Sequence, residues 1–332
     1  MQSSIVITTI NKLNQNIKNY DIKSNKIGWN LTVIGDKKTP KNFKLKFGNY
    51  LSFNDQKKLN LKFSKICPAN NYARKNIGYL FSFLKNDIII ETDDDNYPKL
   101  KFFTSRKKNH SVRNIKNHTW INIYKMFNKN KEIIWPRGLP LDEVDSTKIK
   151  VSNKREINQF NLQQGVADIN PDVDAIYRIL NKKINIKFKN FKINLNNSLS
   201  TFNSQNTTWF RDIFPLMYLP VTCPMRCTDI WRSLVVLKIM KLNKLKILFF
   251  GTDIYQKRNS HNLLNDMEQE LKLYLYDKKI YETLDKLKLK KGKKFFLQNL
   301  KICYTALIKK KFLNKSEIKY LDAWIFDCKN IL

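Results

Sequence analysis

Asp87-Ile88-Ile89-Ile90-Glu91-Thr92-Asp93-Asp94-Asp95-Asn96 decides how this chain is read. Three successive β-branched residues between polar ones make a short buried strand of about four residues. Three adjacent carboxylates follow immediately, at the strand's carboxyl end, the edge of an open α/β sheet where ligands bind. Adjacent carboxylates repel one another. Their natural counter-charge is a divalent cation held by oxygen ligands, with phosphate oxygens completing the shell. The competing reading is a solvated acidic turn or a calcium loop.

Working outward, Ile5-Val6-Ile7-Thr8-Thr9-Ile10 reads as a buried first strand, a polar helical stretch follows to about Lys26, and Trp29-Asn30-Leu31-Thr32-Val33-Ile34 makes a second strand stopped by Gly35-Asp36. Strand, helix and parallel strand form a βαβ unit, which predicts an α/β fold. Residues 70–84 read as a helix, with Tyr72, Lys75, Tyr79 and Phe83 at three- and four-residue spacing and Gly78 allowing close packing. Trp135-Pro136-Arg137-Gly138-Leu139-Pro140 is a rigid loop. Pro171 is placed to open a helix with Asn170 as its cap, and residues 229–240 read as a helix capped by Thr228 or Asp229. Residues 246–251 make a further strand, and beyond about Leu271 a Lys-, Leu- and Tyr-rich tail predicts a helical extension. The expected division is therefore residues 1–270 for the site-bearing domain and 271–332 for the extension.

The chain has 332 residues, 42% of them hydrophobic, enough for a substantial core. It contains no apolar run of the ~18–20 residues that span a membrane, and no signal-like start, so a cytoplasmic protein is expected. Five scattered cysteines argue against a disulfide framework. Cys223 and Cys227, with His261 downstream, leave a thiolate metal site conceivable, although a structural zinc site takes four ligands. Lys and Arg number 62 against 28 Asp and Glu, a net +34. That excess points toward nucleic acid. It is smeared along the chain, however, and no RNA-binding signature accompanies it, so no specific nucleic acid is expected. Phe296, Leu300, Cys303 and Leu307 among lysines form a basic amphipathic stripe. It suits either peripheral contact with the inner face of a membrane or packing against its own domain.

A compact acidic cluster is out of character in so basic a chain. Glycosyl transfer from a nucleoside diphosphate sugar needs a cation to neutralise the departing diphosphate, and Arg74 and Lys75 lie on the helix that feeds the acidic strand. At this point Tyr72-Ala73-Arg74-Lys75-Asn76-Ile77-Gly78-Tyr79 and Glu91-Thr92-Asp93-Asp94-Asp95-Asn96 resemble the STELLO-type glycosyltransferases. These are related to the reversibly glycosylated polypeptides, which act as UDP-arabinopyranose mutases. The likeness continues at Trp135-Pro136-Arg137-Gly138, at Asp168-Ile169-Asn170-Pro171-Asp172-Val173-Asp174-Ala175, at Cys227-Thr228-Asp229-Ile230-Trp231-Arg232-Ser233 and at Tyr255-Gln256-Lys257-Arg258-Asn259-Ser260-His261-Asn262-Leu263-Leu264. It spans roughly residues 3–270, in order.

The resemblance implies a glycosyltransferase-A-like fold, a Rossmann-like mixed sheet flanked by helices. It implies a UDP-sugar donor, Mn²⁺ or Mg²⁺, and a glycan or other hydroxyl acceptor. Asp93, Asp94 and Asp95 become a DxD-type metal and diphosphate site, with His261 as a further candidate ligand. Thr8, Asp36, Arg74 and Lys75 become donor-binding candidates, Asp36 for the nucleobase. Arg137 matches the arginine that carries the transient sugar in the mutase relatives. Asp229 and Trp231 match an acidic-aromatic pair that begins the acceptor-side helix, with Asp229 the base of an inverting reaction. Bland readings stand beside these: Arg137 bonding its own loop, Asp229 as a helix cap, and Asp172 and Asp174 as first-turn acids. The chain departs from the family in lacking the membrane anchor of Golgi-resident members and in a lysine-rich segment at 237–246 where relatives tend to have glycine. Three functions follow from the sequence: a glycosyltransferase, a UDP-sugar mutase acting through Arg137, and a non-enzymatic basic module that binds nucleic acid or a membrane surface.

Overall fold

Isoleucines at successive strand positions point alternately to opposite sides, so the run at 88–90 requires a sheet covered on both faces. The computed structural model has such a sheet, and it describes residues 1–129, 132–145, 148–181, 183–259 and 262–332. Among these, the strands are β1 (Ser3–Thr8), β2 (Asn30–Ile34), β3 (Asn49–Leu51), β4 (Ile88–Asp93), β5 (Asn96–Pro98), β6 (Asn109–Asn114), β7 (Glu156–Ile169), β8 (Lys192–Asn194), β9 (Asn206–Phe210) and β10 (Lys246–Gln256). The helices are α1 (Gln15–Lys26), α2 (Phe53–Lys58), α3 (Lys62–Ile66), α4 (Lys75–Phe83), α5 (Ile123–Phe127), α6 (Ala175–Leu180), α7 (Thr228–Leu242), α8 (Leu263–Asp285), α9 (Phe296–Lys309) and α10 (Glu317–Ile331).

The strand order is β3-β2-β1-β4-β9-β7-β6-β8-β10-β5, with β7 also paired to β10. The first four strands are parallel, β9 lies antiparallel between β4 and β7, and β10 runs parallel to β7. This is the Rossmann-like mixed sheet flanked by helices that the sequence predicts. The chain leaves β1 toward β2 and β3 on one side and returns to β4 on the other. The carboxyl ends of β1 and β4 are therefore a switch point, where a crevice opens. Thr8 is the register partner of Asp93 at that point.

Ile88 and Ile90 pack with Ile5, Ile7, Leu31 and Val33 on one face, while Ile89 and Val6 pack on the other with α4, α7 and the C-terminal helices. Gly78 of α4 lies where a Cβ would meet Val6 Cγ1 at 2.7 Å and Ile34 Cγ1 at 2.9 Å, so this helix rests on the sheet because it lacks a side chain there. Leu273, Ile280, Phe296, Leu300, Leu307 and Trp324 belong to the same apolar cluster as Ile89 and Trp231, and α8 runs continuously through residue 270.

Several local expectations change. The first strand ends at Thr8, because the Thr9 hydroxyl turns to Asp94. Residues 70–84 form a short 3₁₀ turn at Tyr72–Arg74 before α4. Asp174, not Asn170, caps α6 by accepting from the Tyr177 N–H at 2.7 Å, since the Asn170 side chain is held by Arg178. Neither Thr228 nor Asp229 caps α7: Thr228 is already helical and bonds the Pro224 carbonyl, and Asp229 reaches Arg137. The stripe Phe296, Leu300, Cys303 and Leu307 is buried against the protein's own core. No helix among the described residues is long and apolar enough to cross a membrane.

Candidate active site

Glu91 is anchored inside the sheet. Its carboxylate faces Arg232 of α7 at 2.7 and 3.0 Å, accepts from Trp209 Nε1 at 2.7 Å and from the Tyr79 hydroxyl, and neither it nor Arg232 is exposed. This clamp fixes the end of β4. The three aspartates beyond it then diverge. Asp93 receives Lys75 Nζ at 2.8 Å and the Tyr72 hydroxyl at 2.9 Å. Burial pushes its carboxyl up, while Lys75 and Tyr72 pull it down. Asp94 turns back and accepts from Thr9 Oγ1 at 2.6 Å and Asn11 Nδ2 at 2.9 Å, which holds the loop between β1 and α1. Its expected place on the diphosphate is thus taken by loop contacts. Asp95 is met by Gln256 Nε2 at 2.9 Å, and burial together with the charges of Asp93 and Asp94 pushes it up to about 7.

Asp93 opens into a cavity of about 120 Å³ shared with Tyr72, Arg137, Asp172, Gln205, Met225, Arg226, Asp229 and Gln256. Arg137 comes from the Pro-Gly loop, where Gly138 takes φ of 84° and a Cβ would meet Ile230 Cγ2 at 2.4 Å. Only glycine fits that approach to α7. The guanidinium is gripped from two sides. Nε and Nη2 donate to Asp172 at 2.9 and 2.8 Å, and Nη1 and Nη2 donate to Asp229 at 3.0 Å each. Nη1 also donates to the Arg226 carbonyl. These bonds use every N–H that a guanidinium carries. Burial works against its charge, but Asp172 and Asp229 hold it well above the usual arginine range. Asp229 further accepts from the Ser204 N–H at 3.1 Å and Ser204 Oγ at 3.2 Å. Burial raises its carboxyl, yet Arg137 outweighs this and brings it down to about 2.

The remaining candidates are scattered more widely. Thr8 lies beside Asp93. Asp36 is buried after β2, accepting from the Lys37 N–H at 2.6 Å and the Asn71 N–H at 3.2 Å, which ties that loop to the start of α4. Arg74, expected on the diphosphate, points away. It bonds the Cys67 carbonyl at 3.0 Å, the Pro68 carbonyl at 3.2 Å and the Gln56 side chain, and it stacks on Phe53. Trp231 is buried and donates to Asp277 of α8 at 2.9 Å, and Asp174 is spent on its cap and on Trp135. Cys227 bonds the Gln269 carbonyl, and Cys223 lies beside Thr228. His261 lies outside the described residues.

Sequence reasoning missed Tyr72 as an Asp93 partner, Gln256 as the Asp95 partner, and Arg226. Arg226 lines the cavity while paired to Glu270 at 2.5 Å through Nη2. Nothing in its local sequence marked it. Arg258 and Arg178 approach the same region. Burial lowers both from the usual arginine range, and each is pushed further down by neighbouring arginines, Arg178 to about 9. A positive cluster thus stands beside the acidic turn.

Among the described residues no group of three or more His, Cys, Asp and Glu side chains converges to hold a metal ion. Asp93 and Asp95 therefore fit a divalent cation only with ligand oxygens completing the shell. Asp95, a half-buried carboxylate met by a neutral amide, is the position that such a cation would relieve.

The chain thus has a Rossmann-like mixed α/β sheet whose switch-point crevice gathers carboxylates and arginines. The comparisons are more particular: residues 226–332 match the family model described as STELLO glycosyltransferases. Two Arabidopsis thaliana proteins, probable glycosyltransferases STELLO2 and STELLO1, are each 28% identical to it, over 229 and 230 residues. The aligned part is 62% of this chain and 30% and 29% of theirs, so the chain resembles these proteins and spans under a third of their length. Among solved structures, M. tuberculosis glucosyl-3-phosphoglycerate synthase superposes with a TM-score of 0.41 at 12% identity, covering 83% of this chain and 80% of that one. GalNAc-T7 with UDP, GalNAc and Mn²⁺ gives 0.37 at 10% identity, covering 92% and 57%.

Proposed function

We propose that the chain is a glycosyltransferase that takes a nucleoside diphosphate sugar, UDP-linked, and passes the sugar to an acceptor hydroxyl with the help of Mn²⁺ or Mg²⁺. One observation carries this reading. Asp93, Asp172, Asp229, Arg137 and Arg226, from segments far apart in the chain, line one polar cavity at the carboxyl end of β4.

In this reading Asp93 and Asp95 hold the cation together with the donor's diphosphate oxygens. The bound cation neutralises charge on the departing diphosphate. Lys75, at 2.8 Å, counters the burial that raises the Asp93 carboxyl and holds it at the cavity. Arg226, on the cavity wall, faces the leaving diphosphate. Asp36, in the loop after β2, is assigned to the nucleobase in this reading.

Asp229 sits too low, at about 2, to take a proton from a hydroxyl efficiently at neutral pH. Its role here is to hold Arg137, which presents fixed charge and shape to the acceptor side. The mutase alternative needs an Arg137 nitrogen with a free lone pair. A guanidinium kept charged, with all its N–H groups bonded, does not supply one.

The test is thermal stabilisation by UDP with and without Mn²⁺, followed by hydrolysis of a nucleotide-sugar panel. A manganese-dependent UDP shift that is lost in Asp93→Asn supports the reading. Absence of any UDP shift, with steeply salt-sensitive DNA binding instead, would sink it in favour of a basic binding module.

A further inference from the structure

A second cleft, of about 70 Å³, shares no wall residue with the cavity at Asp93 and has the opposite charge. Lys101, Arg106, Lys107, His110 and Lys192 line it with Asp253, on the face of the sheet where β10 bulges between Phe250 and Ile254. Arg106 is only 8% exposed and is held between the rings of Phe102 and Phe250, with centroids at 5.1 and 5.6 Å. Its Nη1 pairs with Asp253 at 2.8 Å, while Nε and Nη2 are buried with no hydrogen-bond partner. A buried guanidinium with unmatched N–H groups is costly unless something accepts from them.

His110 adds a donor. Lys192 Nζ lies 3.1 Å from its Nδ1, and since an ammonium can only donate, the imidazole proton is placed on Nε2, which also has no partner. Burial and the surrounding cations Lys101, Arg106 and Lys107 lower Lys192 from the usual lysine range. Four basic side chains, Lys101, Arg106, Lys107 and Lys192, thus face one carboxylate, and Asp253 is already engaged by Arg106 and by Asn206 Nδ2 at 2.6 Å.

We infer that this cleft binds a tetrahedral oxyanion of the phosphate class, a phosphomonoester or phosphate headgroup, through Arg106 Nε and Nη2, His110 Nε2 and the Lys107 and Lys192 ammonium groups. The rigid arginine supplies a planar fork for two phosphate oxygens, and the lysines supply charge without fixed direction. A cleft of this size admits a phosphate group. The site stands independently of the proposed transferase reaction.

Titration calorimetry of the full chain with inorganic phosphate tests this, in EDTA so that no metal-assisted phosphate binding at the acidic cavity contributes. The expected result is one saturable site that weakens at least about tenfold in Lys107→Gln/Lys192→Gln, a pair chosen because Arg106 substitutions put folding at risk. Co-sedimentation with phosphatidic acid vesicles, against phosphatidylcholine alone, identifies the source. Binding that free phosphate competes away assigns a lipid headgroup, and phosphate binding without vesicle binding assigns a soluble phosphate; both uphold the site. No saturable heat at 10-millimolar-scale phosphate, or heat unchanged in the double variant, overturns it.

Discussion

Replacing Arg137 with Met tests whether this residue is a clamped charge or a sugar carrier. In the wild-type chain the guanidinium satisfies two buried carboxylates, Asp172 and Asp229, through four bonds of 2.8–3.0 Å. Removing it leaves both carboxylates in one cavity without their counter-charge. Breaking a buried pair in this way costs about 3–5 kcal/mol. The pH dependence then separates the two states. In the wild type, Asp229 is depressed to about 2 from an ordinary 3.8, so its contribution is present above pH 4 and is lost as pH falls through 2. That contribution is on the order of 2 kcal/mol. In Arg137→Met the two carboxylates repel, so their pKa values rise above the unfolded values and the variant loses stability as pH rises. The difference between the proteins is therefore largest near pH 8 and shrinks toward pH 5, as the variant's carboxylates take up protons. Urea denaturation across that range, with unchanged m-value, measures it. A pH-independent difference, or a variant as stable as wild type, refutes the clamp. So does a labelled sugar found on Arg137 by mass spectrometry after incubation with nucleotide sugars.

Asp95 carries the opposite sign. Its carboxyl is raised to about 7, so the folded state keeps a proton that the unfolded state has lost, and stability falls as pH rises from about 4 through 7. Asp95→Asn in EDTA should flatten that fall and gain about 4 kcal/mol at pH 8 by thermal or urea unfolding, and without EDTA it should abolish any Mn²⁺ effect. Arg232→Met should destabilise by about 3–5 kcal/mol, because Glu91 and Arg232 are both unexposed, and adding Glu91→Gln should recover part of the loss in a double-mutant cycle. Gly78→Ala brings a methyl to 2.7 Å from Val6, so denaturation should report a loss of about 1–3 kcal/mol from overpacking between α4 and the sheet.

The parallel half of the sheet was legible because its strands are β-branched runs buried on both faces, and such runs announce themselves locally. Residues 30–34 and 88–93 follow the reading to within a residue or two. β10 was read too short because Gly251 looks like a stop, whereas it opens a bulge past which the strand resumes to Gln256. Caps were less legible than strands. Thr228, Asp229 and Asn170 all have capping side chains, but Arg137 and Arg178 hold the last two and Thr228 bonds back to the Pro224 carbonyl. The Arg137 clamp joins residues 35 and 92 positions apart, and no local pattern encodes such a pairing.

Arg74 and Lys75 show the limit most directly. They are adjacent cations of one chemical type, and sequence treats them alike, yet one faces Cys67 and Gln56 and the other faces Asp93. Neighbouring helical positions point about 100° apart, so at most one of the pair was ever able to serve the acidic turn. The same reasoning sorts the three aspartates. Asp93 has a cation in contact, Asp94 has two neutral donors on the loop after β1, and Asp95 has a single amide. The unmet negative charge of the cluster therefore sits at Asp95, not evenly over the triplet. A divalent ion would draw most of its affinity from that residue, and its binding should strengthen as pH rises through 7. A carboxylate that needs a cation more than its neighbours do is the part of the acidic motif that the letters alone do not disclose.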